Sequence, residues 1–344
     1  MSGIFFDIYI KLKSMIRVAI NGFGRIGRVT ARFLLENPNI DLVAINDLTD
    51  EVTMAHLFKY DSVHRLYPEE VKAGNKSIHI GDKIVFCYAA KNPEELPWKD
   101  LNIDVVIEST GHFTKREDAE KHIKAGAKKV IISAPAKTED VKTIVLGVNN
   151  HLLNAKDIVL SNASCTTNCA APMIKVIDEL CTIESCYVST IHSYTGDQRL
   201  HDAPHSDLRR SRAAAQSIIP TTTGAAKAIT KIFPGLEGKV GGCGIRVPVP
   251  DGSLTDITFI VKNPIPVANI NKAFREAANG KLKGILAYTD DPIVSVDCIG
   301  NRHSVLFDSQ LTSVIGNMIK VVGWYDNEAG YSARLVDLVQ RIAG

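Results

Sequence analysis

Short apolar stretches alternate with longer amphipathic segments along the chain from residue 16. The strand-like stretches are Ile16–Asn21, Asp41–Asn46, Asp104–Glu108 and Lys129–Ile132, and the helix-like segments are Arg25–Asn37 and Arg116–Ala125. Because strands and helices take turns, this pattern predicts an α/β fold with a parallel sheet wrapped by helices. Gly81-Asp82 between Ser77–Ile80 and Lys83–Phe86 predicts a hairpin that adds an antiparallel insertion.

The pattern changes after about residue 182, where strand-like stretches dominate. Ser185–Ile191, Asp256–Lys262 and Met318–Trp324 are the clearest strands, and Ile270–Gly280 is the one clear helix. We therefore expect a second, α+β domain built on a mainly antiparallel sheet. Apolar residues at helical spacing in Ala329–Ile342 predict a terminal helix that packs against another domain.

Composition and charge are those of a compact globular protein. The chain has 344 residues, enough for two domains, with 45% hydrophobic and 23% charged residues. A formal charge of +2 gives no field that would attract nucleic acid or an anionic membrane, and no run of 18 apolar residues is present. Seven cysteines, an odd and thinly spread set without a CxxC pair, predict reduced thiols, a cytoplasmic location and no metal site.

Residues 1–15 precede the alternating pattern and read MSGIFFDIYIKLKSM. Asp7 interrupts the apolar run and basic residues follow it, which disfavours a secretory signal. Ser2 in place of glycine disfavours myristoylation. We expect an N-terminal extension, or a true start at Met15.

A glycine-rich segment, NGFGRIGR at residues 21–28, lies between a predicted strand and a predicted helix. Its Gly22, Gly24 and Gly27 have the G-x-G-x-x-G spacing of a Rossmann dinucleotide site. The first glycine allows a tight turn, the second lets the backbone approach a pyrophosphate, and the helix N-terminus faces its charge. Asp47 ends the next strand, where it would accept hydrogen bonds from ribose hydroxyls and repel a 2′-phosphate. NAD is therefore predicted over NADP; the alternative is a glycine turn with a surface aspartate.

Cys165 lies in the segment SNASCTTN, just before the helix-like stretch Asn168–Leu180. A helix start stabilises a thiolate through the dipole and free backbone N–H groups. Pro172 restricts the first turns, so this helix either starts late or is kinked. His192 follows at the end of a predicted strand, and a cysteine with a distant histidine is a candidate nucleophile and acid–base pair. Spacing alone leaves a packing role for Cys165 and a structural role for His192 as alternatives.

Six segments occur in one order along the chain: NGFGRIGR, SNASCTTN, HSYTGDQR, TTTGAAKA, GIRVPVPDGS and WYDNEAGYS. In this the sequence resembles the phosphorylating glyceraldehyde-3-phosphate dehydrogenases of type I, in a bacterial-like form. The resemblance covers Ile16 to Gly344, and its cysteine-centred segment is far more specific than its glycine segment. It implies a Rossmann domain joined to an α+β catalytic domain.

The reaction implied by the resemblance is the glycolytic oxidation of D-glyceraldehyde 3-phosphate to 1,3-bisphosphoglycerate with NAD and inorganic phosphate. Cys165 would attack the aldehyde to give a thiohemiacetal, and His192 would stabilise the oxyanion and take the hydroxyl proton. Hydride would pass to the nicotinamide, and phosphate would attack the resulting thioester.

The resemblance also implies residues for three binding sites. The cofactor residues are Gly22, Gly24, Arg25, Ile26, Gly27, Asp47, Lys91, Ser133, Asn327 and Tyr331. The residues for the C3 phosphate of the substrate are Thr195 and Arg246, and those for the attacking phosphate are Ser164, Thr166, Arg210, Thr223 and Gly224. Hydroxyls, backbone N–H groups and guanidinium forks suit phosphate oxygens. Arg209 and Arg212 are interpreted instead as solvated or intersubunit charges.

Three positions depart from many relatives. Ala329 stands where tryptophan is common near the nicotinamide, and Lys91 stands where arginine is common near the adenine. Ala203 stands where a leucine precedes proline in the loop that reaches a neighbour's adenosine. Ala203 weakens the preference for NAD slightly, whereas Asp47 supports it.

The predicted organisation has three parts. Residues 1–15 are an extension, residues 16–164 an NAD-binding domain completed by the C-terminal helix 329–344, and residues 165–328 a catalytic domain. The long polar segment Asp197–Ile219 is similar to the family's interface loop and implies a homotetramer.

Other functions stay open at this point. An erythrose-4-phosphate dehydrogenase shares the fold, the cysteine and the histidine. A semialdehyde dehydrogenase also uses a thiol and a dinucleotide, but the combination of SNASCTTN with HSYT disfavours it. A protein that acts chiefly by binding RNA or host surfaces has no support, since the charge is +2 and no basic aromatic patch is present.

Overall fold

The computed structural model describes residues 15–343, which form two β-sheets with helices. The predicted extension, apart from Met15, lies outside these residues. The nine strands of the first sheet are β1 Ile16–Asn21, β2 Ile40–Asn46, β3 Val71–Gly74, β4 Ser77–Ile80, β5 Lys83–Tyr88, β6 Val105–Glu108, β7 Lys129–Ile132, β8 Lys142–Thr143 and β9 Val159–Ser161. Its helices are α1 Arg25–Leu35, α2 Glu51–Lys59 and α3 Arg116–Lys124.

The first sheet confirms the predicted α/β fold. Its strand order is β3-β4-β5-β2-β1-β6-β7-β9-β8, and every neighbouring pair except β3–β4 and β4–β5 is parallel. The β4–β5 pair confirms the hairpin at Gly81-Asp82, since Ile80 pairs with Lys83. The carboxyl ends of β1, β2, β6 and β7 lie at one edge of the sheet, where an open α/β sheet binds its ligand.

The second sheet is mainly antiparallel, as predicted. Its seven strands are β10 Ile183–Ser193, β11 Ile219–Thr221, β12 Val240–Val247, β13 Ser253–Val261, β14 Leu286–Thr289, β15 Val305–Ile315 and β16 Met318–Tyr325, in the order β11-β12-β10-β13-β16-β15-β14. The remaining helices are α4 Cys165–Cys181, α5 Ala225–Ile232, α6 Val267–Asn279 and α7 Ala329–Ala343. Only β10–β12 and β14–β15 pair in parallel among these strands. No helix of the described chain has the length and apolarity to cross a membrane.

Helix α7 follows the last strand of the second sheet yet packs in the core of the first. Leu335, Val336, Leu338 and Val339 are buried there with the strands of the first sheet, and α7 lies against α1. The division into residues 16–164, 165–328 and a completing C-terminal helix stays a prediction.

Three helices differ from the sequence prediction, and one of them, α2 Glu51–Lys59, was not predicted. The helix after Cys165 begins at Cys165 and not at Asn168, because the Ser164 side chain caps it by accepting a hydrogen bond from the Thr167 N–H at 3.1 Å. The late start was therefore wrong, and Pro172 lies inside the helix. Helix α5 was not predicted, because its eight residues are too few to establish a helical period.

Candidate active site

The backbone before Cys165 holds the thiol at the start of α4. Ala163 has a left-handed φ of 56°, which costs a non-glycine residue on the order of 1–2 kcal/mol. Its N–H donates to the Ser161 Oγ at 3.1 Å, and its carbonyl accepts from the Tyr331 hydroxyl at 3.0 Å. These contacts hold a strained turn that sets Cys165 at the first position of the helix.

The structure brings Cys165 and His192 together, although they lie in different elements. The Sγ of Cys165 is 3.4 Å from the Nε2 of His192, at the end of β10. The Nδ1 of His192 lies 2.7 Å from the Ser193 carbonyl and 2.9 Å from the Arg246 Nη1. The carbonyl can only accept, so a proton on Nδ1 satisfies that contact and leaves Nε2 as the ring nitrogen that can accept the thiol proton. This is the contact that a nucleophile and its base require.

Burial dominates the electrostatics of this pair. Desolvation, assisted by the nearby Arg246 charge, lowers the pKa of His192 to about 3. Desolvation also raises the pKa of the Cys165 thiol, against the opposing effects of Arg246 and the Thr166 N–H. The expected helix-start stabilisation of the thiolate is thus present, but burial outweighs it, and the pair is a thiol beside a neutral imidazole.

The pKa of His192 predicts how stability depends on pH. Its folded value of about 3 lies below the ordinary 6.5, so the unfolded chain binds more protons between these values and stability falls as pH falls through that window. Between pH 7 and pH 5 the wild type should lose about 2 kcal/mol more unfolding free energy than His192→Asn, at 1.36 kcal/mol per pH unit. Denaturant titrations of both proteins at both pH values measure this. Equal losses would show that His192 is not buried in the neutral form.

Arg246 joins His192 to a predicted anion site. It lies opposite His192 in the β10–β12 register. Its Nη1 donates to the Ser193 carbonyl at 2.9 Å and to the Thr195 Oγ1 at 3.1 Å. The two residues predicted for the C3 phosphate, Thr195 and Arg246, are therefore in contact beside His192.

A carboxylate occupies the donors of both predicted anion sites. Asp197 accepts a hydrogen bond from the Thr195 hydroxyl and forms an ion pair with the Arg210 Nη1 at 2.7 Å. Arg210 also donates to the Thr221 Oγ1 at 3.0 Å, whereas Arg212 is exposed and paired with Asp202 on the surface. Arg210 thus faces inward, unlike its neighbour in the basic run.

The remaining phosphate residues line two helix starts. Ser164 caps α4, and the Thr166 hydroxyl lies 3.0 Å from the Tyr325 hydroxyl. Both the backbone N–H and the hydroxyl of Thr166 act to lower the pKa of the Cys165 thiol. Thr223 and Gly224 precede α5, where a Cβ on Gly224 would meet no atom within 4 Å. Among residues 15–343 no hydrogen bond joins these two to Cys165.

The glycine segment lines a cavity of about 390 Å³ together with Asp47 and Lys91. Gly22 has a φ of 93°, and a Cβ there would lie 2.6 Å from the Thr110 nitrogen. A Cβ on Gly27 would lie 2.2 Å from the Gly22 carbonyl, so the turn and the close helix packing both require glycine. A Cβ on Gly24 would meet no atom within 4 Å. The open side at Gly24 and the N-terminus of α1 fit a pyrophosphate.

Asp47 and Arg25 have partners that limit what each can offer a ligand. The two Asp47 oxygens accept from the Phe23 N–H at 2.7 Å and the Thr49 N–H at 3.0 Å, which leaves lone pairs for ribose hydroxyls. The Arg25 guanidinium is bound to Glu328 and, at 2.6 Å, to Asp61. Its backbone, as predicted for Arg25, is then the part available to a pyrophosphate.

The other predicted cofactor residues lie around the cleft at different depths. The Asn327 Oδ1 accepts from the Ser193 and Ser253 hydroxyls at 2.8 and 2.6 Å, so its amide nitrogen is the group left for a ligand. Ser133 follows β7 and is half-buried, and Ile26 packs against the first core. Tyr331 is only 4% exposed, and its hydroxyl donates to the Ala163 carbonyl. Its contact with a nicotinamide stays a prediction.

Comparisons with known proteins decide the family. Models described as "Glyceraldehyde 3-phosphate dehydrogenase, NAD binding domain" and "Glyceraldehyde 3-phosphate dehydrogenase, C-terminal domain" match residues 16–116 and 164–327. A glyceraldehyde-3-phosphate dehydrogenase of Geobacillus stearothermophilus is 54% identical over 330 residues, covering 95% of this chain and 98% of that protein. The chain belongs to the glyceraldehyde-3-phosphate dehydrogenase family. Glyceraldehyde-3-phosphate dehydrogenase 2 of Streptomyces avermitilis is 55% identical, over 94% of this chain and 97% of that protein. Glyceraldehyde-3-phosphate dehydrogenase of Thermotoga maritima is 54% identical, over 95% of this chain and 98% of that protein.

Membership of the glyceraldehyde-3-phosphate dehydrogenase family confirms the resemblance drawn from the six segments. It also makes the chain an NAD-dependent dehydrogenase with the cofactor predicted from Gly22 and Asp47. The C-terminal family model begins at Ser164, one residue before the predicted nucleophile. The roles of the individual site residues stay predictions.

Three residues of this glyceraldehyde-3-phosphate dehydrogenase site escaped the sequence reasoning. Tyr325 is buried beneath the pair and bonds the Thr166 and Thr190 hydroxyls at 3.0 and 2.9 Å. Asp197 and Glu328 hold Arg210 and Arg25. All three lie in segments that the resemblance quoted, but their partners are distant in sequence, and no spacing pointed to them.

A further cluster of possible metal ligands has another explanation. His64, Asp251 and Asp326 place ligand atoms within 4.8 Å of one another. Asp326 accepts backbone N–H bonds at both oxygens, and His64 is bonded to Glu328 at 2.9 Å. Burial, followed by the neighbouring Asp326, raises the pKa of Asp251, which favours its neutral form over the carboxylate that a metal ligand requires.

Proposed function

We propose that the protein oxidises D-glyceraldehyde 3-phosphate to 1,3-bisphosphoglycerate with NAD and inorganic phosphate, as a glycolytic enzyme of the cytoplasm. The observation that carries the proposal is the 3.4 Å contact between Cys165 and His192, beside Arg246 and Thr195, in a chain of this family. A nucleophile, a base and a cation for a phosphorylated substrate are thereby in one place.

Proton movement in this reaction runs through His192. Its Nε2 accepts the thiol proton as the Cys165 sulfur bonds to the aldehyde carbon, and it returns the proton to the oxyanion of the thiohemiacetal. Bound NAD supplies the hydride acceptor. As hydride leaves the carbon, His192 takes the hydroxyl proton and a thioester forms on Cys165. A phosphate oxygen then bonds to the acyl carbon, the carbon–sulfur bond breaks, and the thiolate regains a proton from His192.

The two phosphate groups would bind on either side of Cys165. Thr195 and Arg246 suit the C3 phosphate of the substrate. Arg210, Ser164, the Thr166 N–H, Thr223 and Gly224 are the donors that we assign to inorganic phosphate. Because Asp197 accepts from Thr195 and Arg210 in the protein described here, an incoming phosphate has to displace or share these contacts.

NAD would lie along the carboxyl edge of the first sheet. The backbone of Gly22, Gly24, Arg25, Ile26 and Gly27 would receive the pyrophosphate, with Asp47 at the ribose hydroxyls and Lys91 at the adenine. Ser133, Asn327 and Tyr331 would lie on the nicotinamide side. Since Asp47 would repel a 2′-phosphate, NAD should be used with higher catalytic efficiency than NADP.

A homotetramer is part of the proposal. Leu200, Leu208 and Ile218, in the segment Asp197–Ile219, are 77%, 82% and 70% exposed in the single chain. Such apolar exposure in a long ordered loop suits a surface that other subunits cover. Sedimentation equilibrium should give four chains per particle, and a stable, active monomer would rule the tetramer out.

Absorbance at 340 nm tests the reaction directly. The protein is supplied with glyceraldehyde 3-phosphate and NAD, with and without phosphate, and in parallel with erythrose 4-phosphate. Sustained NADH formation that requires phosphate supports the proposal. Preference for erythrose 4-phosphate would favour the alternative dehydrogenase, and no NADH with either aldehyde would overturn the catalytic assignment.

A further inference from the structure

The carboxyl ends of three adjacent strands carry a chain of buried polar side chains. Asn21 ends β1, Asn46 ends β2 and Glu108 ends β6, and the register places Asn21 directly between the other two. They are 1%, 4% and 1% exposed. Polar groups at this depth need partners, and a row of them at the ligand edge of the sheet is costly unless every member is satisfied.

Glu108 is the acceptor at one end of this row. Its Oε2 accepts from the Asn21 Nδ2 at 2.5 Å and from the His122 Nε2 at 3.2 Å. Its Oε1 accepts from the Thr110 N–H at 2.8 Å and the Thr110 hydroxyl at 2.5 Å. The Trp98 indole N–H donates to the His122 Nδ1 at 2.9 Å, which leaves the ring proton on Nε2, facing Glu108. Four donors therefore converge on one carboxylate.

The row continues from Asn21 towards the cavity. The Asn21 Oδ1 accepts from the Asn46 Nδ2 at 2.7 Å, and the Asn46 Oδ1 accepts from the Ala90 N–H at 2.8 Å. Asn21, Asn46, Ala90 and Thr110 all line the cavity that contains Gly22 and Asp47, whereas Glu108 lies behind them. The segments that follow β1, β2, β5 and β6 are thus joined through the buried side chains of Glu108, Asn21 and Asn46.

We propose that Glu108 is a positioning residue for NAD, whose carboxylate fixes Asn21, Asn46 and Thr110 and thereby the loops that line the dinucleotide cleft. The proposal rests on the proposed function, since it takes NAD as the occupant of this cavity. Glu108 itself does not line the cavity, so its effect on NAD is indirect. Glu108 ends β6, whereas Cys165 begins α4, so this role is separate from the chemistry at Cys165.

Exchanging the donor and the acceptor tests the arrangement. In Glu108→Gln the amide –NH2 faces donors on either side, Asn21 and His122 at one oxygen position or Thr110 at the other. In Asn21→Asp two carboxylates face each other. Each change should raise the dissociation constant of NAD about ten- to hundredfold, the range expected from losing charged hydrogen bonds. In the double variant the amide introduced at position 108 can donate to the carboxylate introduced at position 21, which still accepts from Asn46. The His122 Nε2 lies 3.4 Å from the Asn21 Nδ2, so it can donate to the same introduced carboxylate. The dissociation constant of the double variant should return to within about threefold of the wild type.

Calorimetry with NAD alone gives the dissociation constants, and initial rates at saturating NAD give kcat. The single variants should keep kcat, with Glu117→Gln, an exposed change on α3, as the matched control. Unchanged NAD affinity in Glu108→Gln, or losses that simply add in the double variant, would overturn the proposal. Should Glu108→Gln fail to fold, the double variant alone decides: affinity near the wild type supports the arrangement, and a loss above tenfold contradicts it.

The outcomes separate this proposal from the proposed function. Wild-type protein that binds NAD but forms no NADH with glyceraldehyde 3-phosphate would overturn the function and leave Glu108 testable by binding. Wild-type turnover together with unaltered NAD affinity in Glu108→Gln would overturn the role of Glu108 and leave the function standing.

Discussion

Cys165→Ser should lower the rate of NADH formation roughly 10⁴- to 10⁶-fold, the scale on which enzymes lose activity with their nucleophile. The replacement differs by one atom, but a hydroxyl is a far weaker nucleophile than a thiol and forms a less reactive acyl intermediate. The loss should appear in kcat/KM for the aldehyde and not in the affinity for NAD, because Cys165 does not line the dinucleotide cavity. Initial rates at 340 nm with saturating NAD and phosphate measure it.

Cys169→Ser is the matched control, since it makes the same atomic change one turn further along α4. Cys169 is fully buried, with its sulfur 3.8 Å from the Gly323 carbonyl, and burial raises the pKa of its thiol. This variant should keep most of its activity. NAD affinity should be unchanged in both variants. Comparable activity in Cys165→Ser and the wild type would remove Cys165 from the mechanism.

His192→Asn should lower kcat about 10²- to 10⁴-fold, the usual contribution of a positioned acid–base group. The Nε2 of His192 is the acceptor 3.4 Å from the Cys165 sulfur, and an asparagine amide cannot take that proton. A rapid-mixing experiment without phosphate isolates the first turnover, in which the thioester forms and one NADH appears per site. We expect this burst to slow by the same factor.

A second measurement separates the roles of His192. Alkylation of Cys165 by iodoacetamide needs the thiolate but no hydride transfer, so it should also slow in His192→Asn if the imidazole accepts the thiol proton. His151→Asn, an exposed change, serves as the control and should leave both rates near the wild type. A normal burst in His192→Asn would show that another group moves the proton.

Much of the fold could be predicted from periodicity and turn chemistry. The strands Ile16–Asn21 and Lys129–Ile132 have the predicted bounds, and the Gly81-Asp82 hairpin is where the dipeptide placed it. These strands and this turn are determined mainly by interactions between residues that are close in sequence. Helices α2 and α5 were missed because helices of nine and eight residues have little period. The start of α4 was misplaced because the Ser164 cap outweighed the signal from Pro172.

The candidate site was also only partly predictable from the sequence. Cys165 and the glycine segment could be recognised there because their chemistry needs a particular local backbone. The roles of the other site residues came from the family resemblance. The side chains that orient these site residues could not be recognised in the sequence. Glu328 meets Arg25 across 303 positions, and Glu108 meets Asn21 across 87. Only the fold determines such pairs, since a charged residue in sequence gives no indication of which distant partner it will face.

Helix α7 has a consequence for how the protein is made. Its apolar residues fill the core beside α1, but the ribosome reaches them only after synthesising everything from α4 to β16. At 5–20 residues per second that interval lasts about 10 to 30 s. During it the strands of the first sheet lack the cover that Leu335 and Leu338 later provide, so their core is completed only after α7 has been made.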